Sequence, residues 1–350
     1  MIRSTSSPSS LSTVSWWKPV LFFAVVIIGL AYVKWQPYYL KAFIAADTHS
    51  IGKSILAVPE QSAWQSALGY AQVYFLAVWK AAVLGILLGS LVQVLIPRNW
   101  LLRTLGQPRL SGTLYGTLLS LPGMMCTCCA APLAAGMKKS TASTGGMLAF
   151  WLGNPLLNPA TLIFMGFVLR WQFTLIRAVA GVVMVVGIAR LVQKWVPDTY
   201  PVDATGINRI AEDAVSQPFL QRWLRTMWSL FWNTVPVYLL AVLCLGAAQA
   251  WLFPQAEGVV SNNLFWVVVM AIAGMLFVIP TAAEIPIIKT MMLAGMGVSP
   301  ALALLVTLPA SSLPSLLMLR SVLPAKALWL SGGLVVLSGV LLGGLSLIVL

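Results

Sequence analysis

The stretch Leu121-Pro122-Gly123-Met124-Met125-Cys126-Thr127-Cys128-Cys129-Ala130-Ala131-Pro132 interrupts an apolar segment that runs from 111 to 137. Proline and glycine together end a helix, because proline lacks the amide donor and glycine has no side chain to favour helical torsions. Unbroken, 27 residues would reach ~40 Å, well beyond the ~30 Å hydrocarbon core. A second segment, 263 to 295, has the same character, with 33 residues and a break at Ile279-Pro280. Either tilt or a hairpin that returns to its own side absorbs the excess.

Composition frames the choice. The 350-residue chain is 59% hydrophobic and 8% charged, with a mean hydropathy of +0.91, so soluble enzymes, disulfide scaffolds and disordered chains are excluded. Runs this long argue for helices over an outer-membrane barrel. The remaining apolar segments are about 20 to 33, 64 to 96, 144 to 169, 172 to 195, 224 to 253, 300 to 319 and 326 to 350. The expected fold is an all-α polytopic membrane protein of about seven spanning helices plus two re-entrant half-helix hairpins. It divides into a tail and first transmembrane helix (1–36), a first membrane repeat (63–196), a cytoplasmic linker (197–221) and a second repeat (222–350). Residues 36 to 62 read as an external loop. No small-x-small cleavage site follows the first apolar run, and tryptophans bracket it, which favours an uncleaved helix over a signal peptide.

Basic residues decide between tilt and return. With both broken segments folded back, 14 of the 21 lysines and arginines fall on the cytoplasmic side, Lys138 and Lys139 among them. Lys34, Lys41, Lys53, Arg170 and Arg177 then lie at or near the outer face. If segment 111–137 spans, this bias collapses. Returning hairpins also invert one half relative to the other, with the N-terminus cytoplasmic and the C-terminus outside. Thr127, Pro132, Met137, Leu148, Ala149, Pro155 and Leu162 recur 154 positions later as Thr281, Pro286, Met291, Leu302, Ala303, Pro309 and Leu316. Two inverted repeats with broken helices meeting near the bilayer centre are the architecture of secondary transporters.

The net charge of +13 belongs to loops and lipid headgroups, without a nucleic-acid partner. The single histidine, His49, leaves haem and histidine-built metal centres without ligands, and the chain implies neither metal nor cofactor. The helix breaks are the expected solute site, since irregular backbone at membrane depth must line a cavity or pack in protein. Thr127 and Thr281 are expected to cap the returning half-helices, leaving free amides that favour an anionic or electron-rich solute. Cys126, Cys128 and Cys129 bring soft sulfurs there, suited to thiophilic species. Small cysteines that merely pack are the rival reading, and packing is the reading for Cys244 in its apolar helix.

Glu284 is the sole acidic residue inside an apolar segment, which makes it the candidate for proton coupling. Lys289, five residues on, lies about 140° around a helix from it, so it is a candidate for attracting an anion and no partner of Glu284. Asn154 and Asn158, in Gly153-Asn154-Pro155-Leu156-Leu157-Asn158-Pro159, form a polar stripe if the helix continues, and Ser311 and Ser312 are their counterparts. No Gly-x4-Gly-Lys-Ser/Thr loop is present, so energy comes from a gradient or a partner.

The cysteine stretch, the Gly153 to Pro159 stretch and Pro280-Thr281-Ala282-Ala283-Glu284-Ile285-Pro286 together resemble the YraQ type of bacterial inner-membrane permeases, related to the ArsP organoarsenical efflux permeases. The resemblance covers nearly the whole chain. It implies a multipass permease and no enzyme, with thiol-dependent export of trivalent organoarsenicals suggested by the ArsP relatives. An architectural similarity to thiosulfate carriers supports a rival reading, uptake of a sulfur oxyanion. The same residues would also suit a membrane thiol protein that relays electrons or holds a soft metal, or a structural subunit of a larger complex. A homo-oligomer or a cytoplasmic partner protein stays open.

Overall fold

The computed structural model describes residues 17–48, 63–96, 98–198, 218–252 and 260–349. The tail, His49 and all but the ends of the linker 197–221 lie outside these residues. Every regular element among the described residues is helical. Seven helices are long and apolar enough to cross a membrane: Trp17–Lys41, Leu68–Leu95, Thr144–Leu169, Trp171–Trp195, Phe219–Ala247, Val298–Leu319 and Ala325–Val349.

In chain order, α1 (Trp17–Leu30) passes through a π turn (Ala31–Trp35) into α2 (Gln36–Thr48). Residues 36 to 48 are therefore helical, and the external loop expected from 36 is corrected to begin later. The polar side chains there do not stop a helix whose backbone bonds continue across the π turn. Next come α3 (Ala63–Leu95), the short α4 (Arg98–Leu101), a second π turn (Leu102–Gly106), α5 (Leu110–Ser120), α6 (Thr127–Lys139), α7 (Thr144–Leu156), α8 (Pro159–Leu169) and α9 (Trp171–Trp195). The second half holds α10 (Phe219–Leu252), α11 (Leu264–Leu276), α12 (Glu284–Leu293), α13 (Val298–Ala310), α14 (Leu313–Leu319) and α15 (Ala325–Val349).

The boundaries carry a regularity. Helices α5, α7, α8 and α9 start at 110, 144, 159 and 171, and α11, α13, α14 and α15 start 154 residues later, at 264, 298, 313 and 325. The central members, α7 and α13, are buried along almost their whole length. In each half the central helix packs against the helix before its break and the last helix of the half. Outward faces carry exposed Leu, Val, Ile, Phe and Trp, the arrangement that suits lipid contact. Cys244 is on such a face, so packing between helices does not account for it.

Helix α6 is locked to α3 through small residues. A Cβ at Gly85 would strike the carbonyl oxygen of Cys129, and one at Gly89 would meet the carbonyl of Pro132. Gly85-Ile86-Leu87-Leu88-Gly89 is a Gly-x3-Gly spacing, which lets two helix backbones approach closely in a membrane. At the other end of α6, Lys138 pairs with Asp198. That carboxylate also accepts from the Thr144 amide at 3.1 Å and the Gln193 amide nitrogen at 3.2 Å, closing the start of α7. Burial pushes the Asp198 carboxyl up, but hydrogen bonds from Lys138 and Thr144 outweigh it and hold the carboxyl below its ordinary value.

Candidate functional site

Two breaks define the site. Residues 121–126 separate α5 from α6 and 277–283 separate α11 from α12. Each break contains a residue in the left-handed region, Met124 at φ 48° and Ala282 at φ 68°, a conformation held only where the surroundings over-determine it.

The first helical run clasps both breaks. Trp35 Nε1 donates to Pro122 O at 2.9 Å, Tyr38 Oη donates to Thr281 O at 3.3 Å, and Lys34 Nζ donates to Thr281 Oγ1 at 3.3 Å. Tyr70 of α3 donates to Val278 O. Lys34 is only 5% exposed, so its expected place at the outer face is corrected: the π turn directs it into the protein.

The three cysteines are buried at the start of α6. Cys126 is its N-cap, and its Sγ is 2.9 Å from that of Cys129. Cys128 Sγ lies 3.6 Å from Ser312 Oγ, and Thr127 Oγ1 lies 3.3 Å from the same hydroxyl. Thus Thr127, Cys128 and Ser312 from the two halves meet. The capping expectation is corrected. The first turns of α6 and α12 have no side-chain cap, and α12 begins at Glu284, three residues beyond Thr281. Thr281 instead receives Lys34 and Tyr38.

The cysteines wall two small cavities. One, about 10 Å³, has Cys126, Thr127, Thr281 and Glu284 in its lining. The other, about 20 Å³, is bounded by Cys128, Cys129, Thr234 and Tyr238. Each has room for about one water molecule, so admitting a solute requires these walls to part.

Asn154 and Asn158 do not share a helical face. Helix α7 ends at Leu156, and Asn158 is the N-cap of α8, its Oδ1 accepting from the Ala160 and Thr161 amides. The proline of each Asn-Pro pair restarts or ends a helix and thereby splits the stripe. Asn154 donates to Phe150 O at 2.9 Å and turns its Oδ1 to Gly123, where no Cβ fits. Ser312 occupies the place of Asn158 in the second half, forming a capping box with Ser315 at the start of α14. Asn154 Oδ1, Asn158 Nδ2, Ser311 Oγ and Glu284 Oε2 are buried without a hydrogen-bond partner. Native interiors leave few such atoms.

Glu284 is 2% exposed and has a partner that sequence reasoning missed, Arg177 of α9, fully buried. Arg177 Nη1 lies 2.8 Å from Glu284 Oε1, a charge contact off the alignment of a hydrogen bond. Its Nη2 and Nε donate to the Pro155 and Leu156 carbonyls at 2.8 and 3.4 Å. Arg177 is therefore not at the outer face, and its reach explains why: the end of α7 leaves carbonyls that no amide can take. Lys289 is half-buried and forms no ion pair among the described residues.

A family of predicted permeases matches residues 63–347. The chain belongs to this family. It is 67% identical over 343 residues to the UPF0718 protein YraQ of Escherichia coli (strain K12), covering 98% of this chain and 99% of that protein. It is 35% identical over 122 residues to the UPF0718 protein MJ0584 of Methanocaldococcus jannaschii, 34% of this chain and 33% of that one. No solved structure matches significantly. Seven apolar helices and this membership make the permease a multi-pass membrane protein.

Proposed function

We propose that this permease is a secondary transporter that moves a small thiophilic solute, sulfur- or arsenic-containing, through a site between the two helix breaks, with Cys126, Cys128 and Cys129 as binding groups. One observation carries the reading: buried thiols at the first break meet hydroxyls of the opposite half, Cys128 at 3.6 Å from Ser312, amid buried polar atoms without partners. Soft sulfur beside unclaimed polar atoms suits a solute with a thiol-binding atom. The recurrence of helix starts 154 residues apart supports two inverted repeats whose breaks are the tips of re-entrant hairpins. The two cavities are too small for a solute, so its entry requires the walls to part.

Glu284 is the coupling group in this reading. A proton on its carboxylate removes the charge that Arg177 faces, and Arg177 holds the end of α7, so protonation and the position of α7 are linked. The protein sits in the bacterial inner membrane with its N-terminus cytoplasmic and its C-terminus outside.

A substrate panel in proteoliposomes, run for uptake and efflux with and without a pH gradient, tests the proposal. Transport of at least one thiophilic solute is expected; its absence across arsenicals and sulfur compounds defeats the reading. The 2.9 Å contact of Cys126 with Cys129 favours a second reading, a dithiol relay that moves electrons and no solute. Thiol redox titration separates them, because a relay cycles these cysteines during turnover and a carrier keeps them reduced.

A further inference from the structure

Lys34 is a buried cation with no carboxylate partner among the described residues. Its Nζ donates to the Thr281 hydroxyl at 3.3 Å and lies 5.5 Å from the centre of the Tyr38 ring. Among the described residues the ion pairs are Lys138 with Asp198 and Arg177 with Glu284, and Lys34 joins neither. A hydroxyl and an aromatic face solvate an ammonium without neutralising it, and a buried charge left unpaired is costly.

The backbone is arranged to keep it there. Lys34 is on the π turn Ala31–Trp35, and single π turns within helices are frequent at functional positions. Trp35, next to it, and Tyr38, one turn further on, fasten the same run to the first and second breaks. Lys34 thereby stands within electrostatic reach of the Cys126 and Cys129 thiols, and the Thr281 hydroxyl that it contacts also approaches Cys126. The first turn of α6 adds amides that no side chain caps, a second positive element aimed at the same place.

We propose that Lys34 makes this an anion site, and that the solute is a small sulfur-bearing anion whose charge meets the Lys34 ammonium and whose sulfur meets Cys126 and Cys129. The contact is non-covalent, built from a charge-assisted hydrogen bond at Lys34 and weak thiol hydrogen bonds. The inference rests on the cysteine site proposed above and narrows its substrate class. Neutral trivalent arsenicals, which need thiols and no cation, leave Lys34 unexplained.

The test uses the full-length protein in detergent, with thiosulfate as the anionic probe and thiourea as a neutral soft probe. Maleimide modification of each cysteine is followed by mass spectrometry, and thermal melting is read in parallel because any ligand of the native state raises it. Thiosulfate should slow modification of Cys126 and Cys129 and raise the melting temperature, with thiourea doing neither. Lys34→Gln should raise the thiosulfate concentration needed for either effect by about tenfold or more, and Lys34→Arg should keep most of the response. The proposal is overturned if thiourea acts as well as thiosulfate, if Lys34→Gln responds like the native protein, or if thiosulfate produces neither effect. Should Lys34→Gln fail to fold, the comparison of Lys34→Arg with the native protein and of the two probes still decides. The permease reading fails separately: a protein that binds thiosulfate through Lys34 but transports nothing keeps the anion site and loses the transporter.

Discussion

Arg177 and Glu284 meet at 2.8 Å inside the bundle, the arginine closing the C-terminal carbonyls of α7 and the glutamate opening the first turn of α12. Each charge stands at the helix end that its sign favours. The pair joins the two halves of the chain, so it fastens one to the other.

Removing one partner should be worse than removing both. Arg177→Met or Glu284→Met alone leaves a buried charge uncompensated and should cost ~3 to 5 kcal/mol, whereas the double Arg177→Met, Glu284→Met should recover much of the loss. Melting of the four proteins in detergent supplies the cycle. Additive losses would mean that the two side chains do not act as a pair.

In transport, Glu284→Gln should abolish the response to an imposed pH gradient while leaving solute exchange without net proton movement. Proteoliposome counterflow measures the second property and gradient-driven uptake the first. Wild-type gradient-driven transport by this variant would assign coupling to another ion.

Cys128→Ser and Cys129→Ser should each abolish transport with little change in melting, because serine nearly preserves volume but lacks the soft sulfur. Normal transport, or loss traceable to unfolding, would return the cysteines to a packing role.

Asp198 gives a pH signature outside the bilayer. Its folded-state carboxyl is held below the ordinary value by Lys138 and Thr144, so its stabilisation is complete above the unfolded pKa, ~3.9, and disappears as pH falls through the lower folded value. The native protein should therefore melt above Asp198→Asn at neutral pH, with the difference shrinking in acid. A pH-independent difference would show that the carboxylate's charge is not what closes the start of α7.

Side-specific labelling of single cysteines at positions 138 and 139 should report the cytoplasmic face. External labelling there would end the arrangement of returning hairpins and inverted halves.

The broken segments and the seven long helices were legible because proline, glycine and unbroken apolar length act locally. Glu284 and the cysteines also stood out, as a charge and soft atoms in apolar runs. Lys34 and Arg177 did not, since both lie near the ends of apolar segments, where an interfacial place is the ordinary expectation. Their burial depends on distant partners, Thr281 for one and the Pro155 carbonyl with Glu284 for the other. The asparagine stripe failed for a local reason that was present in the sequence: Pro159 after Asn158 starts a new helix there. Gly85 and Gly89 were a readable spacing that the broken helices overshadowed.

The contact of Gly85 and Gly89 with the α6 backbone fixes which parts of the molecule can move. With the Cys129 carbonyl against the Gly85 backbone, sliding α6 along α3 by even a fraction of a turn would press a neighbouring side chain into that seam. Cys128 and Cys129 therefore stay with α3, and α10 is packed against α3 as well, so the wall placed to part from the cysteines is Ser312 with α14. Distance labels on α3 and α6 should stay fixed relative to each other throughout a transport cycle, while labels on α14 change their separation from both.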